Sequence, residues 1–297
     1  MSLISFVKTR RNDIASAIEE SLKLIGFKFP KDVHKIVIKA NMCYYWDSST
    51  GQTTDPKFIG ALIDVIRRNT TSDPSISIVE SDASAMKCEH AFNFLGYEKL
   101  AREYGVNLVN LSEDKCDQVR VTVAEQSFNL MVPYTIQNAD LKINVPKIKY
   151  SLDKIKITCA LKNIFGCNPY PKKFKYHPKL DEAIVAVNKA MRFDLCLVDG
   201  NIVSGVSPRR LGLVMAGEDP VAIDTAAARI AGANPRTIKY IQLARTEGLG
   251  DSSFTQVGIP LDYFGARYPK KDVRKKLMSK AYSMVVFLKL ARRLGLE

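Results

Sequence analysis

The densest chemistry in this sequence lies between residues 141 and 166, LKINVPKIKYSLDKIKITCALKNIFG. Lysines 147, 149, 154, 156 and 162 crowd a stretch whose one acid is Asp153. Clustered amines can clamp an anion and steady negative charge that develops on it. Lys162 stands apart because Leu161 and Ile164-Phe165 flank it, and an unpaired ammonium is costly to bury in apolar surroundings. Its expected partner is an anion, either the carboxylate of Asp224 or a group on a ligand. A solvated basic face is the plainer alternative. Other polar residues fall at the ends of apolar runs: Lys39 and Asn41 close KIVIKAN, Glu80 and Asp82 close ISIVESDAS, and Asp199 closes DLCLVDG. Glu80 and Asp82 could hold a divalent cation or act as a base, or merely cap a helix and pair with nearby lysines. Asp224 sits among Val221, Ala222, Ala226 and Ala227, so its carboxylate needs a polar crevice or a cationic partner. Asp82, Asp199 and Asp224 are the candidate metal ligands.

These residues need elements to position them. Alternating or continuous apolar runs at 3–7, 35–41, 76–84, 106–111, 141–145, 194–203, 211–215 and 255–259 predict strands, and 3.6-residue periodicity predicts helices over 14–25, 90–104, 180–191 and 237–246. Asp55-Pro56 and Asp219-Pro220 each supply an N-cap followed by a proline at the first helical position. Thr53 and Thr54 stand just ahead of the first of these helix starts, where free amides and the helix dipole favour an anion such as phosphate. Two alternating stretches, 119–123 and 128–132, read as a small hairpin insertion. Recurrent strand–helix units with polar strand ends imply a three-layer α/β fold, with a largely parallel sheet and helices on both faces. Ligands of such sheets bind at the carboxyl ends of strands. No GxGxxG or GxxxxGK[ST] occurs, so a dinucleotide fingerprint and a Walker loop are both excluded.

Taken in order, NVPKIK, TCALKNIFG, VDG at 198–200 and EDPVAIDTAAARIAG at 218–232 resemble the family catalogued as domain of unknown function 362. The resemblance runs from about residue 39 to about residue 258. It implies no general reaction. Many members of that family carry a ferredoxin-like cysteine run for iron–sulfur clusters, and many have a histidine soon after the VPK-type lysines. Here Tyr150-Ser151 occupies the histidine's place, and no iron–sulfur cluster is expected from this chain's cysteines. The resemblance also implies a histidine after the LKN motif, which points to His177, and a DG aspartate, which points to Asp199.

At 297 residues and 46% apolar the chain can bury a substantial core. Of its net charge of +13, the segment 270–297 contributes +7 through nine Lys/Arg against two Asp/Glu. The remaining +6 suits an enzyme for anionic metabolites as well as a polyanion binder. The six cysteines contain no CxxC pair and read as reduced thiols, consistent with a cytoplasmic protein. No long apolar run suggests an export signal or a membrane span. The expected organisation is one α/β domain over 1–269 and a basic amphipathic helix over 272–296. That helix would either pack on its own domain or a second subunit, or contact an anionic membrane surface.

The expected site gathers Lys39, Asn41, Thr53, Thr54, Lys147, Lys149 and Asn163 as ligand-binding groups, with Glu80, Asp82, Lys162 and His177 as catalytic groups. Its expected ligand is a small phosphorylated or carboxylated metabolite, with a divalent cation as the candidate cofactor. The alternatives are a non-catalytic polyanion or nucleic-acid binder using Tyr44, Tyr45, Trp46, Tyr170 and Tyr176, and a redox scaffold served by an iron–sulfur partner. Acids at so many strand ends disfavour nucleic acid.

Overall fold

The computed structural model describes residues 1–10, 13–150, 156–205 and 207–269. Asp153, Lys154 and the 272–296 segment lie outside the described residues. The first half of the chain alternates strand and helix: β1 (Ser2–Lys8), α1 (Ile14–Ile25), β2 (Lys35–Ala40), α2 (Pro56–Asn69) and β3 (Ser75–Glu80). Two short helices follow, α3 (Cys88–Phe94) and α4 (Tyr97–Tyr104), then β4 (Asn107–Asn110). The single helix expected over 90–104 is thus two, because Gly96 adopts φ +82° and breaks the run. An antiparallel hairpin, β5 (Cys116–Val123) and β6 (Gln126–Pro133), leads through α5 (Tyr134–Gln137) to β7 (Leu141–Val145).

The two-residue strands β8 (Lys149–Tyr150) and β9 (Ile157–Thr158) pair with each other and bring the chain to α6 (Ala160–Ile164). The remaining elements are α7 (Leu180–Ala190), β10 (Leu195–Val203), β11 (Arg209–Gly217), α8 (Pro220–Ile230), α9 (Lys239–Thr246), β12 (Phe254–Gly258) and α10 (Leu261–Gly265).

Eight strands form one sheet in the order β12-β1-β11-β10-β7-β2-β3-β4. Among the described strands of this sheet, only β11 runs against its neighbours. Strand alternation divides the apolar residues between two cores. Ile36, Ile38, Ile76, Ile78, Leu195 and Leu197 pack with α1 to α4, whereas Val37, Val79, Cys196 and Val198 pack with the hairpin and α6 to α10. The result is a three-layer α/β fold with a mostly parallel sheet.

Strand order fixes where a ligand can sit. From β2 the chain crosses to β3 on one side, while from β7 it crosses to β10 on the other. The carboxyl ends of β2 and β7 therefore flank a topological switch point, where the diverging connections leave an open crevice. No helix among the described residues is long and apolar enough to cross a membrane.

Candidate functional site

A cavity of ≈ 870 Å³ opens at this switch point. Its wall includes Lys39, Asn41, Glu80, Lys149, Lys162, Asn163 and His177 from the expected set. Strand geometry explains the first of these. Lys39 and Glu80 end the neighbouring strands β2 and β3, and their side chains meet with Nζ 2.8 Å from Oε2. Lys39 is 1% exposed and also donates to the carbonyl of Ala40 at 2.5 Å, so two of its three N–H donors are taken within the protein. Glu80 accepts in addition from the N–H groups of Met42 and Ser81 at 3.3 and 3.0 Å. Gly166 passes directly over this pair. A Cβ on it would stand 3.2 Å from Lys39 Cε and 3.3 Å from its Nζ, tighter than ordinary contact, and would touch Glu80 Oε1 at 3.4 Å.

Three further amines reach the cavity wall with neutral partners. Lys149 donates to Asn41 Oδ1 at 2.9 Å and to the Gln52 carbonyl at 3.2 Å. Lys173, from the loop before α7, donates to Ser81 Oγ at 2.5 Å and to the Asp82 carbonyl at 2.7 Å. Lys162 rests over the Phe165 ring, 4.6 Å from its centroid. Among the described residues none of the three makes an ion pair with a carboxylate. Burial lowers the pKa of all three, to about 8 for both Lys162 and Lys173, and Lys149 and Lys173 push Lys162 further down. Among the described residues the lining thus sets four lysines against one carboxylate, with His177 exposed at its edge.

The ion pair expected between Lys162 and Asp224 does not form. Asp224 lies wholly buried beneath α6, where Oδ2 accepts from the Leu161 N–H at 2.7 Å and Oδ1 from the Tyr240 hydroxyl at 3.0 Å. Backbone amides satisfy the carboxylate in place of a cation. Burial still pushes its pKa up to about 7, against the opposing pull of those bonds. Asp224 thereby sets the position of the helix that carries Lys162 and Asn163. Asn163 in turn donates to Asn144 Oδ1 at 2.8 Å and to the Lys39 carbonyl at 3.2 Å, tying α6 to β7 and β2.

Lys147 and Asp199 pair with each other, Nζ to Oδ2 3.0 Å, almost without exposure. The same Oδ2 accepts from the Asp55 N–H at 3.0 Å, and Oδ1 accepts from the Asn201 N–H at 3.1 Å. This pair pins the start of α2 to β10 and does not line the cavity. The hydroxyls of Thr53 and Thr54 also have partners within the protein. Thr53 Oγ1 donates to the Trp46 carbonyl at 2.6 Å, and Thr54 Oγ1 joins the Asn41 N–H to the Val145 carbonyl at 3.0 and 2.8 Å. Their hydroxyls brace the loop between β2 and α2.

Asp82 points away from the cavity. It pairs with Lys87 at 2.8 Å and accepts from the Cys88 N–H at 2.9 Å. Burial raises its pKa, but these bonds outweigh burial and hold it below the usual range. Asp82, Asp199 and Asp224 therefore have separate partners rather than a common centre. No group of three His, Cys, Asp or Glu placed to hold a metal ion occurs among the described residues.

Sequence reasoning missed Lys173. It lies in PYPKKFKYHPKL, whose prolines and lysines carry no periodicity, and only the tertiary fold brings it against Ser81.

The family described as Domain of unknown function (DUF362) matches residues 36–229, which include Lys39, Glu80, Lys149, Lys162 and Lys173 of the cavity wall. A thylakoid-associated protein of Synechocystis sp. is 30% identical over 158 residues, covering 48% of this chain and 49% of the relative. The chain thus spans about half the length of this curated relative.

Proposed function

Because the chain belongs to the DUF362 family, whose description names no reaction, we propose its function from the cavity: an enzyme acting on a small phosphorylated or carboxylated metabolite. One observation carries this reading. Lys149, Lys162 and Lys173 bring three ammonium groups to one cavity with only neutral partners among the described residues, a state that costs free energy until an anion enters. An arriving phosphate or carboxylate would restore their ordinary basicity and gain charge-assisted hydrogen bonds.

Roles follow from what each side chain already does. Glu80 is engaged by Lys39 and two amides, which suits holding charge and position. Lys162, with a pKa of about 8, can exchange a proton near neutral pH, and His177 at the cavity edge is a second candidate for proton transfer. Calorimetric titration with inorganic phosphate, sugar phosphates and short carboxylates, with and without magnesium, tests the reading. Lys162→Met and Lys173→Met should each weaken binding about 10- to 100-fold, the worth of a hydrogen bond to a charged group. Failure of every such anion to bind at millimolar concentration would refute the site.

Charge in the 270–297 segment and the relative's description as thylakoid-associated support a second proposal, that this segment binds anionic membrane surfaces. Co-sedimentation with anionic vesicles at low salt should require it. If the protein stays in the supernatant, or if truncation after residue 271 leaves binding unchanged, the packed-helix alternative stands instead.

A further inference from the structure

The cavity is larger than a small anion needs, and its outer part is aromatic. Pockets of roughly 300–1,000 Å³ enclose whole drug-sized organic molecules. At ≈ 870 Å³ this one would leave most of its space to water around a lone phosphate or three-carbon acid. Charge occupies the inner end, where Lys39 and Glu80 are 1% and 4% exposed. Tyr44, Trp46 and Phe174 also line the cavity, yet they are 47%, 50% and 59% exposed, which places them on its solvent side. They come from two separate segments, the loop after β2 and the loop before α7.

The backbone around Tyr44 and Trp46 is built to hold them. Tyr44 adopts φ +52°, a left-handed conformation that a bulky side chain rarely takes unless its surroundings impose it. Its ring lies 5.4 Å from that of Trp46. Trp46 is fixed at both ends of its peptide unit, its N–H donating to the Cys43 carbonyl at 3.3 Å and its carbonyl accepting from Thr53. Gly51 lets the same loop press against β10, because a Cβ there would fall 2.4 Å from the backbone of Val203 and Ser204. A braced, conformationally strained loop thus places two aromatic rings at the opening of a cationic cavity.

We infer that the ligand of this site carries a planar ring joined to its anionic group. The anion lies among Lys149, Lys162 and Lys173, and the ring lies against Trp46, Tyr44 and Phe174. This rests on the anion-binding reading above and adds the other half of the molecule. The shared chemistry is a π-face one small linker away from a phosphate or carboxylate, as in a nucleoside monophosphate or an aryl phosphate. Stacking of a base on an aromatic side chain corresponds to about 5- to 150-fold in affinity.

Trp46 is the one tryptophan in the sequence, so its emission reports directly on the proposed ring site. The protein is titrated with glycerol phosphate, phenyl phosphate and adenosine monophosphate, reading heat and tryptophan fluorescence together. The expected result is that both ring-bearing phosphates bind about fivefold or more tightly than glycerol phosphate and alter Trp46 emission, whereas glycerol phosphate leaves the emission unchanged. A further preference for adenosine monophosphate over phenyl phosphate would identify a nucleotide, and equal binding of the two an aryl group. Trp46→Leu, checked for native circular dichroism, should collapse the affinity ratio between ring-bearing and ring-free ligands toward one, and Phe174→Leu should lower it. Equal binding of all three with unchanged emission would overturn this inference and leave the anion site intact. Binding of none would overturn both.

Discussion

Replacing Lys162 with Met should stabilise the ligand-free protein while damaging its affinity for anions. Met keeps most of the apolar stem and removes the charge. In the folded chain the ammonium has a pKa of about 8 against an ordinary 10.5, because burial and the neighbouring amines oppose its charge. At 1.36 kcal/mol per pH unit this corresponds to about 3 kcal/mol of unfavourable free energy at pH 7. Loss of the contact with the Phe165 face, 4.6 Å away, offsets about 1 kcal/mol. The net expectation is a gain of about 2 kcal/mol, or roughly 4 °C in Tm for a chain of this size. The pH dependence supplies the sharper check. A lysine whose folded pKa is depressed destabilises fully below about pH 8, and that cost fades as pH rises toward 10.5. Urea denaturation of wild type and variant at pH 7, 8, 9 and 10 should therefore show a gap that changes little from pH 7 to 8 and narrows above that. A variant less stable than wild type at pH 7, or a gap independent of pH, would refute the claim that this amine is uncompensated.

Glu80→Gln leaves the buried Lys39 ammonium without its counter-charge and should cost about 3–5 kcal/mol. Adding Lys39→Met should recover most of it, and a single variant within 1 kcal/mol of wild type would show that Ala40 and water suffice. Asp224 gives the opposite pH trend to an ordinary carboxylate. Its folded pKa of about 7 exceeds the unfolded 3.8, so the folded state binds the extra proton between those values and stability should fall as pH rises from 4 to 7, by at most about 4 kcal/mol. Asp224→Asn should flatten that slope in urea titrations, and an unchanged slope would reassign it to other groups.

Much of this architecture was legible in the sequence because its determinants are local. Alternation placed β7, periodicity placed α1, and the Asp-Pro pairs at 55 and 219 marked helix starts whose carboxylates do accept from amides two or three residues on, within the first turn. The site was legible only in outline. A lysine or an acid at a strand end announces a polar crevice, but partner choice is decided by tertiary geometry. Asp224 could have met an ammonium and instead met the Leu161 amide and the Tyr240 hydroxyl. Lys147 and Lys149 differ by two residues, yet one pairs with Asp199 and the other faces the cavity. Thr53 and Thr54 looked like an anion cradle since hydroxyls before a helix suit either use, and the loop that consumes them has no periodic signature.

The placement of β1 has a consequence for how the chain reaches this state. Its partners are β11 and β12, with Ser5 opposite Ala216 and Ser2 beside Phe254. At about 5–20 residues per second, translation of the roughly 200 intervening residues takes about 10–40 s. Throughout that interval Leu3, Ile4, Phe6 and Val7 belong to an apolar strand with neither edge paired. The parallel block from β2 to β7 can form meanwhile, since its members lie close in the chain. Biogenesis therefore divides into an early half that contains the strand ends bearing Lys39 and Glu80, and a late closure that recruits the waiting β1. Chaperone dependence should track that closure rather than the assembly of the cationic cavity's first wall.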